Sequence, residues 1–203
     1  MVPPTSVALL IIDVQRDFCT GGPLPVPNGD AVVPVLNNAI TACIEANILI
    51  YASRDWHPSE TRHFKAKGGT WPTHCVAGTL GAEFHPQLCL PPNTIVVSKG
   101  QGPTADGYSA FEGTTASGEP FRKSLHRLCI RRLLVGGLAT DYCVRHTVLD
   151  ALRAGFQVMV GTDAIAGVNL ATGDSTRALE EMRIAGAEIT RSLLKLLNVS
   201  QNV

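Results

Sequence analysis

The sequence has no surplus of either charge: 17 Lys and Arg stand against 17 Asp and Glu, a formal net charge of zero. Without a basic excess there is no field to hold nucleic acid or an anionic membrane surface. Long apolar runs are also missing. Val7–Ile12 is too short for a signal h-region or a membrane span, and Met1-Val2-Pro3-Pro4-Thr5 carries no positive residue. Six cysteines, at 19, 43, 75, 89, 129 and 143, include no CxxC pair and are too sparse for a disulfide scaffold. There is no internal repeat and no low-complexity tract. These absences predict a cytoplasmic protein with free thiols, most of them packed as small hydrophobes.

What is there is a core. With 203 residues, 45% of them hydrophobic, the chain is expected to form one domain over residues 1–203. Short apolar runs recur at 7–12, 48–52, 94–97, 133–135 and 157–160, with a weaker one at 187–189. Unbroken runs of this kind mark strands buried on both faces. Between them, Val32, Val35, Leu36, Ala39, Ile40 and Cys43 keep a helical period after a cap expected at Asn28-Gly29-Asp30. Further helices are expected over 122–130, 144–152 and 175–185. The alternation predicts an α/β fold, three-layer αβα, with a mostly parallel six-stranded sheet. Two stretches, 54–93 and 100–119, are too long for ordinary connections, and the first holds both tryptophans and four of the six histidines.

Ligands in an open parallel sheet bind beyond the carboxyl ends of the strands. The residues that follow the apolar runs are Asp13, then Asp55-Trp56-His57, then Ser98-Lys99, then Gly137-Leu138-Ala139-Thr140-Asp141-Tyr142-Cys143. Each has an ordinary structural reading taken singly: Asp favours turns, Lys ends in solvent, Cys buries like a small hydrophobe. All three types meeting at one sheet edge make an active-site inventory. With Thr140 or Asp141 as N-cap, Cys143 falls in the first turn of a helix, whose dipole and free N–H groups favour a thiolate and can hold an oxyanion. Lys99 would depress the thiol pKa further, and Asp13 could accept its proton. The other five cysteines are assigned to packing.

Asp55 and His57 are two apart at an extended strand end, so both point the same way. With His74, and with His63 as a further candidate, they form an N/O set suited to Zn²⁺ and also to Fe²⁺ or Mn²⁺, with open coordination positions. His85, His126 and His146 lack such neighbours and read as surface or helix residues. Arg122, Lys123, Arg127, Arg131 and Arg132 read as a solvated face rather than a nucleic-acid site.

Several segments carry a resemblance: Ile12-Asp13-Val14-Gln15-Arg16-Asp17-Phe18-Cys19, Asp55-Trp56-His57-Pro58, His63-Phe64, Trp71-Pro72-Thr73-His74-Cys75-Val76, Gly81-Ala82-Glu83-Phe84-His85, Tyr108-Ser109-Ala110-Phe111-Glu112-Gly113 and Gly137 to Val144. Through them the chain resembles the isochorismatase-like cysteine hydrolase superfamily and, within it, the nicotinamidase (pyrazinamidase) group. The resemblance implies hydrolysis of nicotinamide to nicotinate and ammonia in NAD salvage, through a thioester acyl-enzyme. It implies Cys143 as nucleophile, Asp13 as base, Lys99 as the tuning cation, and an oxyanion hole from the N–H groups of Ala139 and Cys143 after a cis Leu138–Ala139 bond. It implies one divalent metal, zinc first, on Asp55, His57 and His74, with His63 a ligand in some relatives, and ring-packing walls from Phe18, Trp71 and Tyr108. The expected partner is a small amide, not nucleic acid or membrane, and a homo-oligomer stays open. Two alternatives stand beside this reading: an amidohydrolase of the same superfamily acting on an N-carbamoyl or other carboxamide, and a non-catalytic metal or thiol redox sensor. The chain departs from the group at Leu80, where relatives carry proline, and in an extended loop over 114–120.

Overall fold

Val7–Ile12 forms strand β1 at the middle of a seven-stranded sheet. The computed structural model describes residues 6–194. To one side of β1 lie β2 (Leu49–Asp55), β3 (Ile95–Lys99) and β4 (Thr114–Thr115); to the other lie β5 (Arg132–Leu138), β6 (Gln157–Ala166) and β7 (Glu188–Thr190). All pairings are parallel except β3 with β4. The six parallel strands are the six expected from the sequence. The additional one is β4, a two-residue strand inside the 114–120 loop, too short to leave a hydrophobic pattern.

Several strands run past their apolar part. β2 continues through Ser53, Arg54 and Asp55, and β3 through Ser98 and Lys99, so Asp55 and Lys99 become register partners on adjacent strands. Alternation along β1 splits its side chains between two cores. Leu9 and Ile11 pack with α1 (Val32–Glu45), while Ala8, Leu10 and Ile12 join the side covered by α2 (Phe121–Arg127), α3 (Arg145–Arg153) and α4 (Asp174–Ile184). The result is the expected αβα layering.

Helix starts differ from expectation. Asn28 sits in the left-handed region at φ 58° and opens a 3-10 turn, Gly29–Ala31, that runs into α1 without a side-chain cap. The Asp30 carboxylate turns back to Thr20 instead. α2 stops at Arg127 because Cys129 takes φ 56°. The packing assignment of the cysteines holds for Cys19, Cys43 and Cys75, but Cys89 and Cys129 are exposed in turns. Arg122, Lys123, Arg127 and Arg131 are exposed, with Arg127 paired to Glu119 at 2.9 Å. Among the described residues no helix is long and apolar enough to cross a membrane.

Candidate active site

The chain order reverses direction across the sheet between β1 and β5, the place where ligands gather in such folds. Asp13 lies just past β1, held by its own N–H to Ser53 O at 3.1 Å and by Ser53 Oγ donating to Oδ1 at 2.7 Å. Lys99 ends β3, fully buried. Its Nζ lies 2.8 Å from Asp13 Oδ2, 2.6 Å from Gly107 O and 3.5 Å from Cys143 Sγ, and it also donates to Asp55 Oδ1. One ammonium therefore joins two carboxylates and a thiol, all out of water.

Burial alone would pull the Lys99 pKa down, but Asp13 and Asp55 hold the ammonium charged and raise it well above its ordinary value. The carboxylates split. For Asp13, burial outweighs Lys99 and the pKa is raised; for Asp55, Lys99 and the nearby imidazoles outweigh burial and the pKa is lowered. Two carboxylates driven apart in this way divide into a proton acceptor and a fixed anion. The thiol departs from the sequence expectation. Burial pushes the Cys143 pKa well up, and Asp13 and Asp55 add to that, against the opposing pull of Lys99. A thiolate would be a third negative charge around one ammonium. Cys143 is a neutral thiol within 4.8 Å of carboxylate oxygens of Asp13 and Asp55.

Cys143 does lie in the first turn after β5, but neither expected residue caps it. Ala139 holds the cap position in extended conformation, and Thr140–Val144 winds as a π turn, with Val144 N donating to Ala139 O at 3.1 Å. Asp141 is used elsewhere, accepting from Val168 N at 2.9 Å and Asn169 N at 2.7 Å. The Leu138–Ala139 peptide is cis.

A second cluster adjoins the first through Asp55. Ligand atoms of His57, His63 and His74 lie within 4.8 Å of one another, and Asp55 Oδ2 is 3.6 Å from His57 Nε2 and 3.9 Å from His74 Nε2. His57 Nδ1 faces Gly100 O at 3.0 Å, His74 Nδ1 faces Pro72 O at 2.7 Å, and His63 Nδ1 faces Asp106 Oδ1 at 3.1 Å. A carbonyl can only accept, so the rings of His57 and His74 carry their protons on Nδ1 and turn bare Nε2 lone pairs inward. His57 Nε2 is buried with no hydrogen-bond partner among the described residues. Burial lowers the pKa of His74 to about 4 and also lowers that of His63. Inward Nε2 lone pairs beside an ionised carboxylate fit a divalent cation, and His63 stands with the other two. Gly100 is required here: at φ 66°, a Cβ on it would meet the His57 ring at 2.4 Å.

Asp55, His63, His74 and Cys143, members of the two clusters, line one cavity, which is also walled by Phe18, Trp71, Tyr108, Leu24, Val26 and Tyr142. Trp71 Nε1 donates to Tyr108 OH at 2.8 Å, and the Tyr142 ring meets Trp71 edge-on at 4.9 Å. A flat ring fits between such walls. Sequence reasoning missed Gln15 as well. Fully buried, its amide accepts from Asp55 N at 2.8 Å and donates to Asp55 O at 2.8 Å and Ala82 O at 2.9 Å, clamping the end of β2. It stood in a matching segment but had no chemical signature of its own; Leu24, Val26 and Tyr142 left none either.

Residues 7–192 match the model of the isochorismatase domain. The chain belongs to the isochorismatase family. Within this family it is 41% identical to the nicotinamidase of Escherichia coli over 93% of this chain and 95% of that one. It is 39% identical to the nicotinamidase/pyrazinamidase of Mycobacterium tuberculosis, over 91% and 98%. Among solved isochorismatase-family folds, the pyrazinamidase of Pyrococcus horikoshii in complex with zinc superposes with a TM-score of 0.84 at 44% identity, covering 91% of this chain and 98% of that one. Leu80, the departure noted in the sequence, is exposed at the surface.

Proposed function

We propose that the protein hydrolyses nicotinamide to nicotinate and ammonia through a thioester on Cys143. The observation that carries this is the pairing, at one aromatic-walled cavity, of a thiol–carboxylate–ammonium set with a carboxylate–imidazole cluster. The names of the two relatives reported above point to the same substrate.

The substrate ring lies between Phe18, Trp71 and Tyr108, with its carboxamide toward Cys143. A divalent ion on Asp55, His57, His74 and His63 would supply a Lewis-acid anchor for the ring nitrogen. Cys143 attacks the amide carbon as Asp13 takes the thiol proton, so negative charge moves from the carboxylate to the carbonyl oxygen, where the N–H groups of Ala139 and Cys143 receive it. The C–N bond breaks as Asp13 returns that proton to nitrogen, releasing ammonia and leaving the thioester. A water then gives a proton to Asp13 and its oxygen to the acyl carbon; that proton goes back to sulfur, the second proton of the water is lost from the new carboxyl group to solvent, and nicotinate departs. Lys99 stays charged throughout and keeps the two carboxylates at one site.

The test is ammonia release by purified protein from nicotinamide, pyrazinamide and an N-carbamoyl amine, before and after chelation and with metal restored. Nicotinamide turnover that chelation abolishes and Zn²⁺, Fe²⁺ or Mn²⁺ restores is the expected result. Turnover of the N-carbamoyl compound alone, indifferent to chelation, would replace this reading with the other amidohydrolase activity.

A further inference from the structure

On the outer side of the segment that walls the cavity, a second set of ligand-type side chains converges. Phe18 points inward, its ring 5.4 Å from that of His74. Its neighbour Cys19 is buried too, and its Sγ lies within 4.8 Å of an Asp30 carboxylate oxygen and a His85 ring nitrogen. We infer that Cys19, Asp30 and His85 form a second divalent-metal site, of the kind that takes Zn²⁺, separate from the histidine cluster.

Three observations support it. His85 Nε2 and Asp30 Oδ1 face each other at 3.3 Å, which matches the N-to-O edge of a zinc tetrahedron with bonds of about 2.0 Å, roughly 3.3 Å. Asp30 is also oriented by its own outer partners: Oδ2 accepts from Thr20 N at 3.0 Å and Thr20 Oγ1 at 2.6 Å, which leaves Oδ1 turned to His85. Such outer bonds hold a metal-ligating carboxylate in place. Third, Cys19 and His85 line a surface pocket of about 670 Å³, which gives water access to a fourth coordination position. A thiolate, a carboxylate and an imidazole are all zinc donors, and the sulfur distinguishes this site from the N/O set around Asp55.

Binding has a defined proton balance. Burial and Asp30 push the Cys19 thiol up to about 12, so the ion must displace that proton, and one proton is released. His85 Nδ1 accepts from Gln87 N at 3.2 Å, which puts the ring proton on Nε2. Ligation through Nε2 moves that proton to Nδ1 and gives up the Gln87 bond. The site is therefore weaker than the histidine cluster, where His57 and His74 already have the ligating tautomer. The bound ion, neutralised by thiolate and carboxylate, would tie the 18–31 segment to the 80–90 loop from outside the cavity.

The full-length protein carrying C143A, which removes the catalytic thiol as a source of signal, is freed of metal and titrated with Co²⁺. Bound equivalents are counted by elemental analysis, and sulfur-to-cobalt charge transfer is followed in the near ultraviolet. Two equivalents are expected, the weaker one bringing the charge-transfer band and releasing one proton. C19S should abolish the band and the weaker equivalent. H85Q, at a half-buried position that spares the core, should weaken that equivalent by about tenfold or more. A single equivalent, or a band and second equivalent that survive C19S or H85Q unchanged, would overturn the proposal.

Discussion

Lys99 Nζ lies 3.5 Å from Cys143 Sγ, and the thiol nevertheless stays protonated, because burial raises its pKa and Asp13 and Asp55 add to that against the pull of the ammonium. The burial that raises the thiol pKa also raises that of Asp13, so the acceptor beside the thiol is a better base than an ordinary carboxylate. Thiolate ultraviolet absorbance, taken as the difference between the protein and Cys143→Ala, should therefore be flat up to at least the ordinary thiol pKa of about 8.5. A thiolate step at or below about pH 7 would show a preformed ion pair instead.

Asp13→Asn and Lys99→Met should fail in different ways. The amide that replaces the Asp13 carboxylate keeps its shape but cannot take a proton, and loss of a positioned base costs about 10² to 10⁴ in rate. The expected result is a folded protein with near-normal metal content and that fall in kcat. Lys99→Met leaves two buried carboxylates without their cation, a loss of about 3 to 5 kcal/mol in stability. Thermal melts should separate the two variants, and equal Tm values would contradict the charge arrangement.

Gly100→Ala tests the support beneath the histidine cluster. The new methyl would enter the His57 ring and strain a backbone at φ 66°, which costs more than about 1 kcal/mol. To escape, the ring must leave Gly100 O, the acceptor that fixes its tautomer, and losing such a partner lowers metal affinity by about 10- to 100-fold. Competition with a chelator measures this directly; unchanged affinity would remove Gly100 from the account.

Trp71→Phe removes the donor to Tyr108 OH while keeping an aromatic wall. A hydrogen bond of about 1 kcal/mol corresponds to roughly fivefold. KM for nicotinamide should rise by about that factor with kcat nearly unchanged. A fall in kcat at constant KM would mean that the pair acts on the reaction rather than on ring binding.

The parts of this molecule legible in sequence are those with a strong local signal. The six parallel strands announced themselves as apolar runs, and Asp13, Asp55, Lys99 and Cys143 could be placed at one edge because each follows such a run. The Asp-x-His spacing at Asp55 and His57 led to the carboxylate–imidazole cluster in the same way. What stayed hidden depends on distant chain. The sequence around Cys143 suggested a low-pKa thiol, and the burial of the site, with the carboxylates around Lys99, reverses that sign. Asp141 has the composition of a cap, but the 167–169 loop claims its carboxylate first. Cys89 and Cys129 have apolar neighbours in sequence and solvent around them in space, because turns carry them outward.

The register of β2 against β3 sets Asp55 opposite Lys99, and that of β1 against β2 sets Ser53 beside the end that leads to Asp13. A slip of one residue in either pairing would turn these side chains to the opposite face. The apolar runs would tolerate such an error better, since both faces of the sheet are buried. A refolded sample could thus regain its secondary structure and still contain misregistered molecules, and the fraction able to form an acyl-enzyme would measure folding fidelity more strictly than circular dichroism.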